Sequence, residues 1–378
     1  MTTPIRVAHV IHNLEPGGTE RRLLAVAAAL EPPRFESLVA CLDGLGPLRE
    51  EAVAAGIVPI LIGRSWRFDV TGVLRLALLL RRERVAIVHG WMWLPGVFAR
   101  VAGVLARVPV RVVGEGAAVT TNDPRRARSG ALLDRLLAPL TDTWVANSEA
   151  VAASLRERGL PADRIVVVPN GVALPAPLDP EERRLLREEL GAEPGAELVG
   201  MVARLDPEFK DHATLLRAVA QLEADGRPIR VAVVGDGPGR VALERHALDL
   251  GIADRVRFTG FRRDSARLVA ALDVSVLLTY SEGFSNVVLE SMAAGVPLLA
   301  TDIAPNREAV HDGVHALLVP VGDVEATAAA LRRLLDDSSL AAALGAAARD
   351  RARADFSLEA QGARMASLYE RLLREKSG

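Results

Sequence analysis

The chain has 378 residues, more than one hydrophobic core comfortably holds, so two domains are expected. Half of its residues are hydrophobic, a quarter are charged and the formal net charge is −2, the balance of an ordinary soluble enzyme and not of a nucleic-acid-binding protein. The lone cysteine, Cys41, excludes an intrachain disulfide and a cysteine-cluster metal site, and no run reaches the roughly 18 apolar residues of a membrane span.

From the N-terminus, MTTPIRVAHVIHN lacks a signal-peptide cleavage pattern, so a cytoplasmic location is expected. Strand-like runs then alternate with helical ones: 5–11 and 19–30, 37–41 and 48–56, 57–62 and 70–82, 85–89 and 95–107, and finally 110–113. That alternation predicts a doubly wound parallel sheet with right-handed crossovers, whose ligands gather at the carboxyl ends of the strands. Residues 168–196 are rich in proline and charge and predict a connection holding one helix, 181–190. A second series follows: strand 198–202, helix 211–224, strand 229–234, helix 239–251, strand 256–259, helix 265–272, strand 273–279, strands 298–301 and 316–319, and helices from 324 onward. The reading is α/β, with two doubly wound domains facing across a cleft.

Charge is unevenly spread. Residues 1–170 hold 21 Lys/Arg against 16 Asp/Glu, while the remainder holds 25 against 32. A basic first half suits an anionic acceptor or a membrane surface, or it is scattered over solvated faces. Residues 66–84, WRFDVTGVLRLALLLRRER, form an apolar run edged with arginine: either a crossover helix buried against the sheet, or a peripheral contact with the inner face of the cell membrane.

The most informative stretch is YSEGFSNVVLESMAAG at 280–295. It joins a strand, a glycine loop and a helix that Ser285 can cap and that stops near Gly295. The amides of Gly283, Phe284, Ser285, Asn286 and Val287 and the helix dipole can hold a diphosphate without a basic side chain. Glu290 lies about 7 Å further along the axis and leans back toward the helix start. Glu282 reaches the same volume from the loop, so the two acids can bracket one polyhydroxylated anion, or both can be solvated surface carboxylates.

Other strand ends offer polar groups. Gly17 and Gly18, in PGGTE after the first strand, either approach an anion or make a tight turn. Gly235, in GDGP, lacks the third glycine of the dinucleotide fingerprint and reads as a turn lining the cleft. Arg204 and Lys210 flank LDPEF beyond another strand, where two cations suit the phosphates of a diphosphate or pair with Asp206 and Asp211. His12 and His89 each end a strand and can serve as acid, base or donor, or be satisfied by backbone. Trp91 and Trp93, on the following loop, can stack on an acceptor sugar or seal the core edge. No spacing fits a zinc or EF-hand site.

ARLDPEFKD at 203–211, VVGDGPGR at 233–240, RVRFTGF at 255–261, SEGFSNVVLESMAAGVP at 281–297, NSEAVAASLRERG at 147–159 and RIVVVPNGV at 164–172, with the GGTE turn at 17–20, together resemble the retaining nucleotide-sugar glycosyltransferases of family 4, also called group 1. The resemblance spans nearly the whole chain in the right order. It implies a GT-B fold: an acceptor-side Rossmann-like domain over 1–172, a donor domain over 173–357, and a last helix, 358–378, crossing back to the first domain. It implies that Arg204 and Lys210 hold the diphosphate, Glu290 the ribose, Glu282 the transferred sugar, Gly18 the phosphates, and backbone near Phe261 and Arg262 the base, with no metal or other cofactor. One departure stands out. Where many relatives carry a histidine that contacts the donor sugar, this chain reads Gly114-Glu115-Gly116, so either Glu115 takes a related role or the contact is lost.

The activity this implies is transfer of a sugar from a UDP- or GDP-sugar to a glycan, lipid-linked or small-molecule acceptor with retention of configuration. Two alternatives are a nucleotide-sugar 2-epimerase of the same architecture and a non-catalytic nucleotide-sugar-binding subunit.

Overall fold

The computed structural model describes residues 4–30, 33–116, 124–224, 226–227 and 229–377, and at 124–129 and 377 the backbone alone. The chain divides into two compact units, Met1–Gly171 with Leu358–Gly378, and Val172–Ser357.

In the first unit the strands are β1 (Ile5–Ile11), β2 (Phe35–Cys41), β3 (Pro59–Leu61), β4 (Ile87–Trp91), β5 (Val110–Glu115), β6 (Thr143–Ala146) and β7 (Ile165–Val167). They form one parallel sheet in the order β3-β2-β1-β4-β5-β6-β7. Alternate residues of β1 enter opposite layers, as the period of a strand demands. Val7 and Ile11 pack with Leu23, Val26, Met365 and Tyr369, whereas Ala8 and Val10 pack with Leu76, Leu80 and Phe98. The first layer is thus closed by the helices Gly18–Ala29 and Leu358–Ser377, and the second by Val70–Arg82 and Trp93–Ala106.

The second unit repeats the plan with β8 (Glu197–Val202), β9 (Ile229–Val234), β10 (Val256–Gly260), β11 (Val274–Leu277), β12 (Leu298–Thr301) and β13 (Leu317–Val319), in the order β10-β9-β8-β11-β12-β13. Val199 and Met201 face a layer with Leu215, Leu216 and Val219, and Leu198 and Val202 face one with Leu268 and Leu272. In each unit the order reverses beside the first strand, between β1 and β4 and between β8 and β11. Loops leaving those strands turn to opposite faces and open a crevice at their carboxyl ends.

Several strand boundaries differ from the sequence reading by one or two residues, and two of the differences have local causes that bear on the site. β4 begins at Ile87 instead of 85, because Arg84 adopts a left-handed turn (φ 50°) and Val85 N–H is used up capping the preceding helix at Leu80 C=O, 3.0 Å away. The strand then continues to Trp91, which pairs with Gly114 of β5. β11 stops at Leu277, and Thr279 instead bridges Lys210 in antiparallel fashion. Among the described residues no helix is long and apolar enough to cross a membrane.

Candidate functional site

Three loops interlock at the carboxyl end of the second sheet. The loop after β8 is pinned to the loop after β9 by Ala203 N–H to Val234 C=O (2.9 Å), Leu205 N–H to Asp236 C=O (3.0 Å) and Gly239 N–H to Leu205 C=O (2.8 Å). This approach requires Gly235, whose φ is +142° and whose missing Cβ would fall on the Ala203 carbonyl. The end of β10 joins through Gly235 N–H to Gly260 C=O at 2.9 Å.

On its other side the loop after β8 is bound to the loop after β11. Asp211 N–H donates to Leu278 C=O (3.0 Å), Tyr280 N–H to Phe209 C=O (2.9 Å) and the Thr279 hydroxyl to Phe209 C=O (2.6 Å). The result is an ion pair between the Lys210 ammonium and the Glu282 carboxylate, both largely buried. Burial pushes the Lys210 ammonium down, to about 8, a drift the neighbouring carboxylate opposes. Buried His212, the next residue but one, is pushed down to about 4 by burial and by Lys210, so it stays neutral at physiological pH. Arg204 differs from Lys210: its side chain is 73% exposed and approaches Asp206 only to 3.8 Å.

The helix Asn286–Ala294 starts beside Glu282. Ser285 caps it, its hydroxyl accepting from Val288 N–H at 3.5 Å, and Gly295 ends it in a left-handed turn. The Ser291 hydroxyl, 2.7 Å from that of Ser275 on β11, fixes the helix to the sheet. Phe284 is buried against Phe356, with ring centroids 5.6 Å apart, which anchors the loop. Helix-start amides from 284 to 287, the ammonium of Lys210, Glu282, and half-buried Glu290 one turn further along thus come from neighbouring elements of one sheet end. Phe261 is exposed just after β10, and the Arg262 side chain is held by Asp264 (2.6 Å) and Glu189. Such an arrangement can bind a dianion through amides and cations while two carboxylates take up hydroxyls. Thr279, read from the sequence only as a strand end, and Asp211, read only as an alternative partner of the two cations, hold the site's two loops together; Asp211 accepts from Thr214 N–H at 3.1 Å and from its hydroxyl at 2.8 Å. A polar residue just past a buried strand is the one signal that could have flagged Thr279.

In the first unit, Gly17 precedes the helix Gly18–Ala29 with extended backbone, and the Glu20 carboxylate lies over it. His12 follows β1, and its Nδ1 lies 3.0 Å from Asp43, which also pairs with Arg64 at 2.6 Å. The expectation for His89 is corrected. Because β4 runs on to Trp91, His89 lies within the strand and is fully buried, with Nδ1 2.7 Å from the Tyr369 hydroxyl and Nε2 packed against Gly114. Burial holds it well below the usual histidine range. It is a packing residue with no open side for a substrate. Trp91 is corrected for the same reason: it is a buried β4 residue whose Nε1 donates to His9 Nδ1 (3.2 Å), stacked on His89 and covered by Arg22. Trp93 opens the helix Trp93–Ala106 instead of lying on a loop, and its Nε1 donates to Asp134 at 3.1 Å.

Glu115 ends β5 and is buried among charges. Asp134 pairs with Arg100 (2.9 Å) and with Arg158, and Trp93 donates to it as well. Burial pushes the Glu115 carboxyl up to about 7, Arg158 and Arg100 opposing and Asp134 reinforcing the shift. Residues 117–123, which follow it, lie outside the described part of the chain. Among the described residues no group of three or more His, Cys, Asp or Glu side chains is placed to hold a metal ion.

Residues 182–351 match the family model of glycosyl transferases group 1, and residues 16–174 that of glycosyltransferase family 4. The chain is 35% identical over 269 residues to the D-inositol 3-phosphate glycosyltransferase of Nocardia farcinica, covering 66% of this chain and 59% of that one, so it spans about three fifths of that relative's length. To the protein of the same name from Thermobispora bispora it is 32% identical over 323 residues, covering 80% and 74%. Among solved structures, Anabaena Alr3699/HepE in complex with UDP and glucose superposes with a TM-score of 0.85 over 97% of this chain and 100% of that chain, at 22% identity.

Proposed function

The chain has the GT-B fold and belongs to the group 1, family 4 glycosyltransferases, and on that premise we propose that it is a cytoplasmic, retaining transferase that moves a hexosyl group from a nucleoside diphosphate sugar to an acceptor hydroxyl. The observation that carries this reading is the meeting of Lys210, Glu282 and the capped helix start at Ser285 on interlocked loops. Lys210, exposed Arg204 and the amides of 283–286 hold the diphosphate. Glu290 takes the ribose hydroxyls, and Glu282 those of the sugar.

In the reaction the bond between the anomeric carbon and the diphosphate oxygen breaks, and its electron pair stays on the diphosphate. Lys210 and the helix start stabilise that charge as it develops. The acceptor oxygen attacks from the face the diphosphate is leaving, and its proton passes to a diphosphate oxygen, so the anomeric configuration is kept. The protein's part is positioning and electrostatics, with fixed cations in the role a metal plays elsewhere; we therefore propose that turnover is independent of added metal. UDP in the HepE structure favours a uridine donor, and the names of the two relatives favour a compact polyol acceptor over a long glycan.

A thermal-shift panel of UDP-, GDP- and ADP-sugars tests the donor, since a ligand that binds only the native state raises the melting temperature. NMR of the product formed with inositol phosphate and other polyols, with and without EDTA, tests the rest. Inversion at the anomeric carbon, loss of turnover in EDTA, or conversion of the donor to its 2-epimer without any acceptor would each overturn the proposal.

A further inference from the structure

The helix Val70–Arg82 is apolar on two sides. Leu76, Ala77, Leu79 and Leu80 face the sheet of the first unit, as a crossover helix requires. The opposite side should then be charged. It instead presents Val70, Leu74 and Leu78 at four-residue spacing, exposed by 62%, 49% and 69%, and the turn leading into the helix adds Trp66 at 58% and Phe68 at 42%. Arg67, Arg75, Arg81 and Arg82 are exposed beside them. Between residues 61 and 82 the only acid is Asp69, which is buried, caps this helix through Thr71 N–H at 2.9 Å and pairs with Arg75 at 3.3 Å; Glu83, next in the chain, pairs with Arg82 at 2.9 Å, and both arginines keep exposed side chains.

We propose that this face is a peripheral docking surface for an anionic lipid bilayer. An apolar ridge of leucine, valine and tryptophan flanked by guanidinium groups matches an interface in which acyl chains lie just beneath a layer of phosphates. Charge complementarity selects this occupant. A second copy of the chain, meeting this face by two-fold symmetry, would set arginine against arginine, while the acids at its edge, Asp43 and Glu83, are already paired with Arg64 and Arg82 of their own chain. Tryptophan and arginine also belong at the headgroup level, where an apolar body and a polar tip are both satisfied. The proposal is independent of the donor site, because it concerns only the outer face of one helix in the first unit.

The experiment is flotation of the full chain with vesicles of phosphatidylcholine alone or with about 30% phosphatidylglycerol, at about 50 mM and 500 mM salt. The expected result is co-migration with the anionic vesicles at low salt, release at high salt, and no co-migration with the neutral vesicles. The double variants Leu74→Ser/Leu78→Ser and Arg81→Gln/Arg82→Gln alter only exposed side chains, so they should keep the parent melting temperature while binding falls about tenfold or more. Failure of the parent chain to float at low salt, undiminished flotation of both variants, or a parent dimer that Leu74→Ser/Leu78→Ser dissociates would each overturn the proposal.

Discussion

Lys210 and Glu282 stand 72 residues apart in the chain and form an ion pair at the junction of the loops that leave β8 and β11. Each neutralises a largely buried partner, and each is also the group assigned to a different half of the donor. On the proposed function, donor binding would be an exchange: the diphosphate would replace the carboxylate beside the ammonium, and sugar hydroxyls the ammonium beside the carboxylate.

Lys210→Ala should lower kcat/KM by about 100-fold or more, the usual cost of removing one preorganised group from a developing charge. Lys210→Arg should recover only part of this, because the planar guanidinium does not fit the space of a compact ammonium. Initial rates, with circular dichroism as the check on folding, decide the matter. A rate for Lys210→Ala within threefold or so of the parent would remove Lys210 from the mechanism.

Glu282→Gln should separate nucleotide from sugar. Without the carboxylate competing for Lys210, a free nucleoside diphosphate should bind at least as tightly as to the parent, while transfer falls by about 100-fold. Calorimetric titration of UDP and GDP against both proteins measures the first effect. Weaker nucleotide binding by the variant would contradict the exchange.

The pH dependence of donor binding follows from Lys210. With its ammonium pushed down to about 8, the charged form is lost as pH rises through that value, and donor affinity should fall by up to about tenfold per pH unit above it. Titrations at pH 8.5 or so in buffers of different ionisation enthalpy should show proton uptake on binding. A donor affinity that is flat from about pH 7 to 9.5 would refute this.

Glu115 makes a stability prediction of the opposite sense to an ordinary carboxylate. Its folded-state value, about 7, lies above the unfolded value of 4.5, so its contribution is fully present below 4.5 and is lost as pH rises to 7. Glu115→Gln should melt like the parent at low pH and be more stable at pH 8, by at most about 3 kcal/mol. Thermal denaturation of both proteins across this range gives the answer, and a gap that narrows with rising pH would reverse the assignment.

Much of the fold was legible because buried parallel strands and amphipathic crossovers leave strong local signals. β1, β9, β12 and the helix Val70–Arg82 have the bounds their apolar patterns predict, and Ser285 caps its helix as serine before an apolar run should. β6 and β7, four and three residues long, are too short for periodicity to register. The misreadings of His89 and Trp91 have one cause: a left-handed Arg84 displaces the start of β4, and a two-residue shift carries both from a strand end into the core. In the candidate site the motif residues were legible but their pairing was not, since the link between Lys210 and Glu282 is made by sheet order and by the Thr279 bridge. The two-sided character of the helix Val70–Arg82 was also hidden, because an apolar run does not say which of its leucines face outward.

The helix Leu358–Ser377 covers the sheet of the first unit, placing Met365, Leu368 and Tyr369 in the same layer as Val7 and Ile11. The body whose strands leave the ribosome first is therefore the last to be finished, since its lid is translated only after the whole of the other body. During that interval one flank of the nascent sheet is covered by the helix Gly18–Ala29 alone and leaves oily surface open, a natural target for chaperones, and a chain cut short before Leu358 would damage the unit whose strands come first in the sequence.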